Sequence, residues 1–294
     1  MTYDSLSLYR DIVQTRSVSR GAALNGISQS AASQSVQELE RTMQVQLLDR
    51  STRPLTVTEA GKLYYDFCRD ILRRKEQFEA ELQVVKGRVE GTVRVAAIYS
   101  VGISEIASLE ETFTKRYPDA HLQVNYLRPE RVYESVLEDR AELGLVSYPE
   151  SMRELNVLPW REEQMVLAMS PLHPLAGLRR AGAHDMEGQE FIGFDEDLPI
   201  RQHVDRYLRE LAIEVRVVMH FDNIGSMKEA LALGQGISIL PRRILTNEIG
   251  LGTLVAVPLR IPLTRPLGIV HRRRKALTPA AERFLELLQE TPHN

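Results

Sequence analysis

The side chains best suited to recognition chemistry lie near one end of the chain. Ser28, Gln29, Ser30, Ser33, Gln34 and Gln37 put hydroxyls and amides on one side of a segment with helical spacing, while Ala32, Val36 and Leu39 form an apolar stripe on the other. Gln pairs bidentately with adenine, and Ser donates to or accepts from several bases or phosphates. Arg50 and Arg53 follow on a short, Pro-containing hairpin, Leu47–Thr56. Basic side chains beside such a helix can reach backbone phosphates. A plainer reading stands next to this one: a solvated polar helix in an ordinary bundle, then two exposed arginines on a turn.

No catalytic constellation competes with that segment. The chain has no H-E-x-x-H and no G-x-S-x-G, and Gly234-x-Gly236 precedes a strand instead of opening a helix. The seven histidines lack metal-ligand spacing, and His173 belongs to an S-P-L-H-P turn. The single cysteine, Cys68, excludes an internal disulfide framework and a Cys-rich zinc site. Its place in a long helix suits a structural role better than a reactive one. The expectation is a protein that is not an enzyme and takes no cofactor or metal.

Several elements must position these residues. Val18–Leu24 reads as a short helix that ends at Asn25-Gly26, and Ser28 is a good N-cap for a second helix over Gln29–Met43. Two helices joined by so short a turn, the second with a polar outer face, are the parts of a helix-turn-helix. Residues 58–89 read as one long helix, with Ala60, Tyr64, Phe67, Ile71, Phe78, Leu82, Val85 and Val89 recurring near a period of 3.6. A helix with one apolar stripe and charged remaining faces must bury that stripe, against another helix or against its own globular domain.

Beyond Gly91 the texture becomes strand–helix alternation, which argues for parallel sheets covered by helices. Strands are expected at Val93–Ile98, Leu122–Leu127, Leu143–Val146, Met165–Met169, Phe191–Gly193, Val215–Phe221 and Ile237–Leu240. Helices are expected at Ile103–Tyr117, Arg131–Asp139, Arg201–Leu211, Ser226–Leu233 and Thr278–Gln289.

With 294 residues and 43% hydrophobic content, the chain is long enough for about two domains. No run approaches the ~18 apolar residues of a membrane span, and the first residues lack a secretory signal's layout, so the cytoplasm is expected and a membrane is not. The formal charge of −3 argues against nucleic-acid binding until it is divided. Residues 1–62 carry +1, residues 63–90 are neutral and residues 91–294 carry −4. Affinity for DNA would then rest on placed arginines, helix N-termini and more than one copy per site.

The motifs resemble those of LysR-type transcriptional regulators. S-x-x-x-x-A at 17–22, I-S-Q-S-A-A-S-Q-S-V-Q-E-L-E at 27–40, L-L-D-R at 47–50 and L-T-V-T-E-A-G at 55–61 are similar to that family's DNA-binding module. E-x-x-x-V-L-A-M-S-P-x-H-P-L-A at 162–176 and A-L-A-L-G-Q-G-I-S-I-L-P at 230–241 are similar to its effector-binding half. The resemblance implies a winged helix-turn-helix over residues 1–57 and a dimerising linker helix over 58–90. It further implies a type 2 periplasmic-binding-protein-like effector domain over 91–294, made of two α/β subdomains. Subdomain I would comprise 91–162 and 267–294, and subdomain II 163–266, with crossovers near Glu162–Glu163 and Arg265–Leu267. One departure stands out: Gln34 and Ser30 occupy positions where many members carry a basic residue and Pro. The base preference is therefore expected to differ from the family's average.

Parallel sheets hold ligands beyond the C-terminal ends of their strands, where helix N-termini point N–H groups outward. The implied fold would bring several such ends to one cleft: Ser100 and Val101 after the first strand, Arg128 after the second, Ser147 and Tyr148 after the third. Asn223 and Ile224 would join from before a later helix, with Arg201 or His203 from the other subdomain. Taken singly, Ser100 and Asn223 are ordinary helix caps, Arg128 and Arg201 surface cations, and His203 an exposed helix residue. Taken together they suit a small carboxylate or another small anion. The expected partners are double-stranded DNA, a small effector, further copies of the chain as homodimer or homotetramer, and RNA polymerase. The competing reading is a ligand-binding protein whose N-terminal helices only oligomerise.

Overall fold

The computed structural model describes residues 3–52, 54–85 and 89–290. It divides into two compact units, residues 1–87 and 88–294.

The first unit is helical. It runs α1 (Tyr3–Thr15), α2 (Val18–Leu24), α3 (Gln29–Met43), a hairpin of β1 (Leu48–Asp49) and β2 (Thr56–Val57), then α4 (Glu59–Val85). Local chemistry sets these boundaries. Ser17 accepts from the Arg20 N–H to start α2, and Ser28 accepts from the Ala31 N–H to start α3. Between them the chain turns through Gly26 at φ +65°, a conformation that costs glycine nothing. Tyr9, Ile12, Ala32, Val36, Leu47, Leu48, Tyr64 and Cys68 form the core. The Tyr9 hydroxyl donates to the Gly61 carbonyl at 3.2 Å, and its ring meets Tyr64 edge-on with centroids 4.8 Å apart. Burial pushes the Cys68 thiol up to about 11, which leaves it protonated and inert.

The single apolar stripe expected on the long helix is in fact two. Tyr64, Cys68 and Leu72, at i, i+4 and i+8, turn into the unit's own core. Phe67, Ile71, Phe78, Leu82 and Val85 lie on a neighbouring face and stay exposed. Among the described residues the helix ends at Val85, so Val89 lies outside it.

The second unit is a two-lobed α/β structure. Lobe I contains β3 (Gly91–Ile98), α5 (Tyr99–Arg116), β4 (Ala120–Leu127), α6 (Pro129–Leu137) and β5 (Leu143–Ser147). A 15-residue strand, β6 (Leu155–Met169), then carries the chain into lobe II. There follow α7 (Ala183–Met186), β7 (Glu190–Phe194), α8 (Pro199–Glu210), β8 (Arg216–Phe221), α9 (Ile224–Ala232), β9 (Ile237–Pro241), α10 (Thr246–Leu251) and β10 (Val255–Pro258). The strand β11 (Thr264–Arg272) returns to lobe I, which α11 (Pro279–Glu290) completes. Each lobe has its own apolar core.

The strand order is β4-β3-β5-β11-β6-β9-β7-β8, with β10 also on β6. The sheets are mixed, which corrects the all-parallel expectation: β3 pairs in parallel with β4 and β5, and β7 with β8 and β9, but β6 and β11 run antiparallel to their neighbours. The strand expected at Met165–Met169 is only the last third of β6. The rest of it and all of β11 escape a reading by hydropathy, since Arg161, Glu162, Glu163 and Arg265 stand among their apolar residues.

Gly61 carries the tightest packing of the first unit, since a Cβ there would lie 2.0 Å from the Leu47 carbonyl oxygen and 2.7 Å from the Tyr9 hydroxyl. Gly61→Ala is expected to destabilise this unit by about 1–3 kcal/mol through overpacking. Chemical denaturation followed by circular dichroism should show an earlier helical transition. Fluorescence of Trp160, the chain's one tryptophan and part of lobe I, should move little.

Candidate functional site

The outer face of α3 is built by its own periodicity. Ala32 and Val36 are buried, which turns Gln29, Ser30, Gln34 and Gln37 to solvent and leaves Ser33 half-buried. Ser28 is spent as the cap, and its hydroxyl lies 2.9 Å from that of Ser30. The hairpin is held to this helix by one carboxylate. Glu40 accepts from the Leu47 N–H at 2.9 Å, from the Leu48 N–H at 3.0 Å and from Arg50 Nη2 at 3.0 Å. Glu40 was not among the candidates, yet it fixes where Arg50 stands. Arg53 lies outside the described residues.

In the second unit, Ser100, Arg128, Ser147 and Ile224 line one cleft between the lobes, together with Leu198, Asp222 and Arg265. Its open space is about 50 Å³, room for a few waters. Arg128 bridges the lobes across it, bonding Asp197 at 2.6 Å and approaching Asp222 at 3.7 Å. All three groups are well exposed, so this contact is worth little as stability.

The other candidates fall elsewhere. Val101 is buried in the core of lobe I and presents nothing to the cleft, because α5 begins at Tyr99, four residues earlier than expected. The same early start puts Ser100 inside the first turn, so it is not the helix cap. Arg201 is also not a cleft residue: its Nε donates to Asp205 and its Nη1 to the Phe194 carbonyl at 2.7 Å, both within lobe II. Asn223 caps α9 by accepting from the Ser226 N–H and faces a neighbouring chamber. Tyr148 and His203 meet each other across the lobes, with rings stacked at 3.7 Å. His203 Nδ1–H donates to the Pro199 carbonyl, which fixes its tautomer. Tyr148 sits at φ +49°, and burial pushes its hydroxyl up to about 12.

The residues that sequence reasoning missed lie on the crossing strands. Arg265 of β11 stands in register with Glu163 of β6 and is almost fully buried. Its Nε donates to Glu163 Oε2 at 2.9 Å, Nη2 donates to the same oxygen, and Nη1 donates to the Ser100 hydroxyl at 3.0 Å. Arg161 approaches Glu163 at 3.7 Å and lies over the Trp160 ring at 4.0 Å. Glu163 thus stands between two arginines, bonded to Arg265 and approached at longer range by Arg161. The opposite charges at the two implied crossovers, Glu163 and Arg265, are the signal of this pair in the sequence.

A helix-turn-helix with a hairpin wing, in one chain with a two-lobed ligand cleft, defines a ligand-responsive DNA-binding protein. Residues 3–62 match the bacterial regulatory helix-turn-helix of the lysR family, and residues 86–292 match the LysR substrate binding domain. The chain belongs to the LysR family of bacterial transcriptional regulators. It is 26% identical to the HTH-type transcriptional regulator CysL of Bacillus subtilis, over 98% of this chain and 97% of that one. Vibrio fischeri DarR, solved in complex with DNA, shares its fold with a TM-score of 0.60 at 17% identity, covering 99% of both chains. The Synechocystis CcmR regulatory domain, solved with 2-PG, aligns at a TM-score of 0.63 and 24% identity, over 68% of this chain and 96% of that one.

Glu163→Gln removes the carboxylate between two buried arginines. It is expected to destabilise the second unit by about 3–5 kcal/mol, the usual cost of breaking a buried pair from one side. Denaturant titration followed by the fluorescence of Trp160, three residues away, measures it.

Proposed function

We propose that α3 is the recognition helix of a transcription regulator and that the cleft between the lobes is where a small anion acts on it. The observation that carries the reading is the exposed amide and hydroxyl face of α3, set opposite a buried stripe and flanked by a wing that its own Glu40 holds. Gln29, Gln34 and Gln37 would read base edges in the major groove. Ser28, Ser30, Ser33, Arg50 and Arg53 would serve phosphates or neighbouring bases.

The exposed stripe of α4 from Phe67 to Val85 supports self-association, since a second copy of that helix would cover it. Paired α4 helices would place two recognition helices about one turn of DNA apart. In the cleft, Ser100, Ser147 and the Arg265 guanidinium supply donors, and Arg128 supplies a cation at the mouth. Donors and a cation on one cleft favour an anion. Effector binding would open or re-close the cleft, shift the copies relative to one another, and change DNA bending and access of RNA polymerase. This reading places the protein with the chromosome in the cytoplasm and assigns it no catalytic step.

A gel-shift series with fragments of the source genome, at two salt concentrations and with competitor DNA, tests it. Retention of particular fragments that survives competitor supports the reading. Its absence would leave N-terminal helices that only oligomerise. Gln34→Ala is expected to relax base preference on a selected site, by about 1–3 kcal/mol for a lost bidentate contact. Arg50→Ala should weaken all sequences alike and lower the salt slope by about one unit. Phe78→Glu with Leu82→Glu should shift sedimentation toward monomer while leaving the helical transition of the first unit in place.

A further inference from the structure

Lobe I concentrates positive charge at the end of its sheet that lies away from the cleft. There β11 runs out into His271-Arg272-Arg273-Arg274-Lys275, four cations in succession. Arg272 stands in register with Leu155, the first residue of β6, and Arg153 adds a further cation just before that strand. Residues 91–294 carry −4 as a whole, so a basic corner on them does not follow from bulk composition.

The run is pinned in place. Asp139, in the turn after α6 at φ +59°, accepts from Arg272 Nη1 at 3.0 Å and from Lys275 Nζ at 2.9 Å. The Arg273 N–H donates to the Glu154 carbonyl at 2.8 Å. Its guanidinium donates to Asn156 Oδ1 and to the Leu155 carbonyl, both at 3.3 Å. Those two acceptors are neutral, so Arg273 keeps its full charge. Arg153, Arg273 and Arg274 are exposed, and among the described residues no carboxylate bonds any of them. The carboxylates beside this corner are otherwise engaged or few. Glu138 is taken by Arg140 at 2.9 Å, and Glu142 is 2% exposed and accepts from Thr278 Oγ1. With these counted, and Asp139 and the exposed Glu154 as well, cations remain in excess.

Crowding like charges costs self-repulsion, which a surface built only for solubility avoids by mixing signs. Guanidinium forks match phosphate oxygens, and short arginine-rich runs suit a nucleic-acid backbone. We infer that this corner of lobe I is a second DNA-contact surface, one that takes the phosphate backbone and reads no sequence. The choice of duplex DNA rests on the regulator reading. A duplex already held by α3 is offered to the corner at high effective concentration, so a few phosphate contacts suffice. Such contacts supply what the first unit lacks, since residues 1–62 carry only +1.

Fluorescence anisotropy of the full chain on a long random-sequence duplex, over a salt series, tests the inference. Arg153→Gln, Arg273→Gln and Arg274→Gln together should lower affinity at low salt about tenfold or more. The slope of log affinity against log salt should flatten by about two to three units, the value for three lost phosphate contacts. Lys at the same three positions should restore most of the affinity, because a phosphate contact needs the charge and a structural role needs the fork. Melting curves show that each variant is folded. Unchanged affinity and slope in the Gln variant would overturn the inference, and so would a loss that Lys does not rescue. Polyglutamate stands in for an acidic protein: if the Gln variant loses polyglutamate and keeps the duplex, the DNA assignment falls. Arg50→Ala separates the two readings. A loss there with none in the Gln variant overturns the corner and leaves the regulator reading standing. A loss in the Gln variant, with no fragment preferred in the gel-shift series, does the reverse.

Discussion

The ion pair between Glu163 and Arg265 is the constraint on which the second unit depends. Among the described residues only β6 and β11 pass between the lobes, and these two residues face each other at the passage. Burying such a pair is no net source of stability, since desolvation consumes most of the Coulombic gain. Its value lies in specificity. A slip of either strand by one residue would turn one charge into an apolar core with no partner, so the pair fixes the register at the point where the sheets change hands. Through Nη1 the same guanidinium reaches Ser100 and ties the first turn of α5 to the hinge. The floor of the cleft is thereby specified by the connection between the lobes.

A comparable economy operates in the first unit. Three donors from the hairpin converge on Glu40, a residue of α3 itself. The wing thus takes its position from the helix that would read DNA, and the two cannot drift independently. The module carries little net charge, so it cannot compensate for poor placement with bulk electrostatics. Accurate positioning of a few groups has to supply what a strongly basic domain would obtain from charge alone.

The first unit was largely legible because its signals are local. Ser28 as a cap, Asn25-Gly26 as a stop and the stripe of Ala32 and Val36 set α2 and α3 to the residues expected. The second unit was legible in rhythm but not in topology. Strands buried at a hinge can carry Glu163 and Arg265 because these two satisfy one another across the chain, and no window of sequence shows that partnership. The cleft candidates suffered from a related blindness. Moving the start of α5 by four residues sends Val101 into the core, and Arg201 finds its carboxylate on the next turn of its own helix. The long helix misled for a different reason. Two apolar faces, one for its own unit and one left open, overlap closely enough in period to read as one.

The Met165 N–H donates to the Leu263 carbonyl at 2.9 Å just where β6 enters lobe II and the chain prepares to leave it. Lobe II is therefore an insertion, stitched into lobe I at two adjacent points. Such a segment can be exchanged as a cassette: a foreign lobe whose ends lie equally close could be spliced at that junction without rethreading the host. Diversification of the ligand can then proceed by replacing or remodelling this insert, while α3, its wing and the remaining lobe keep their sequences.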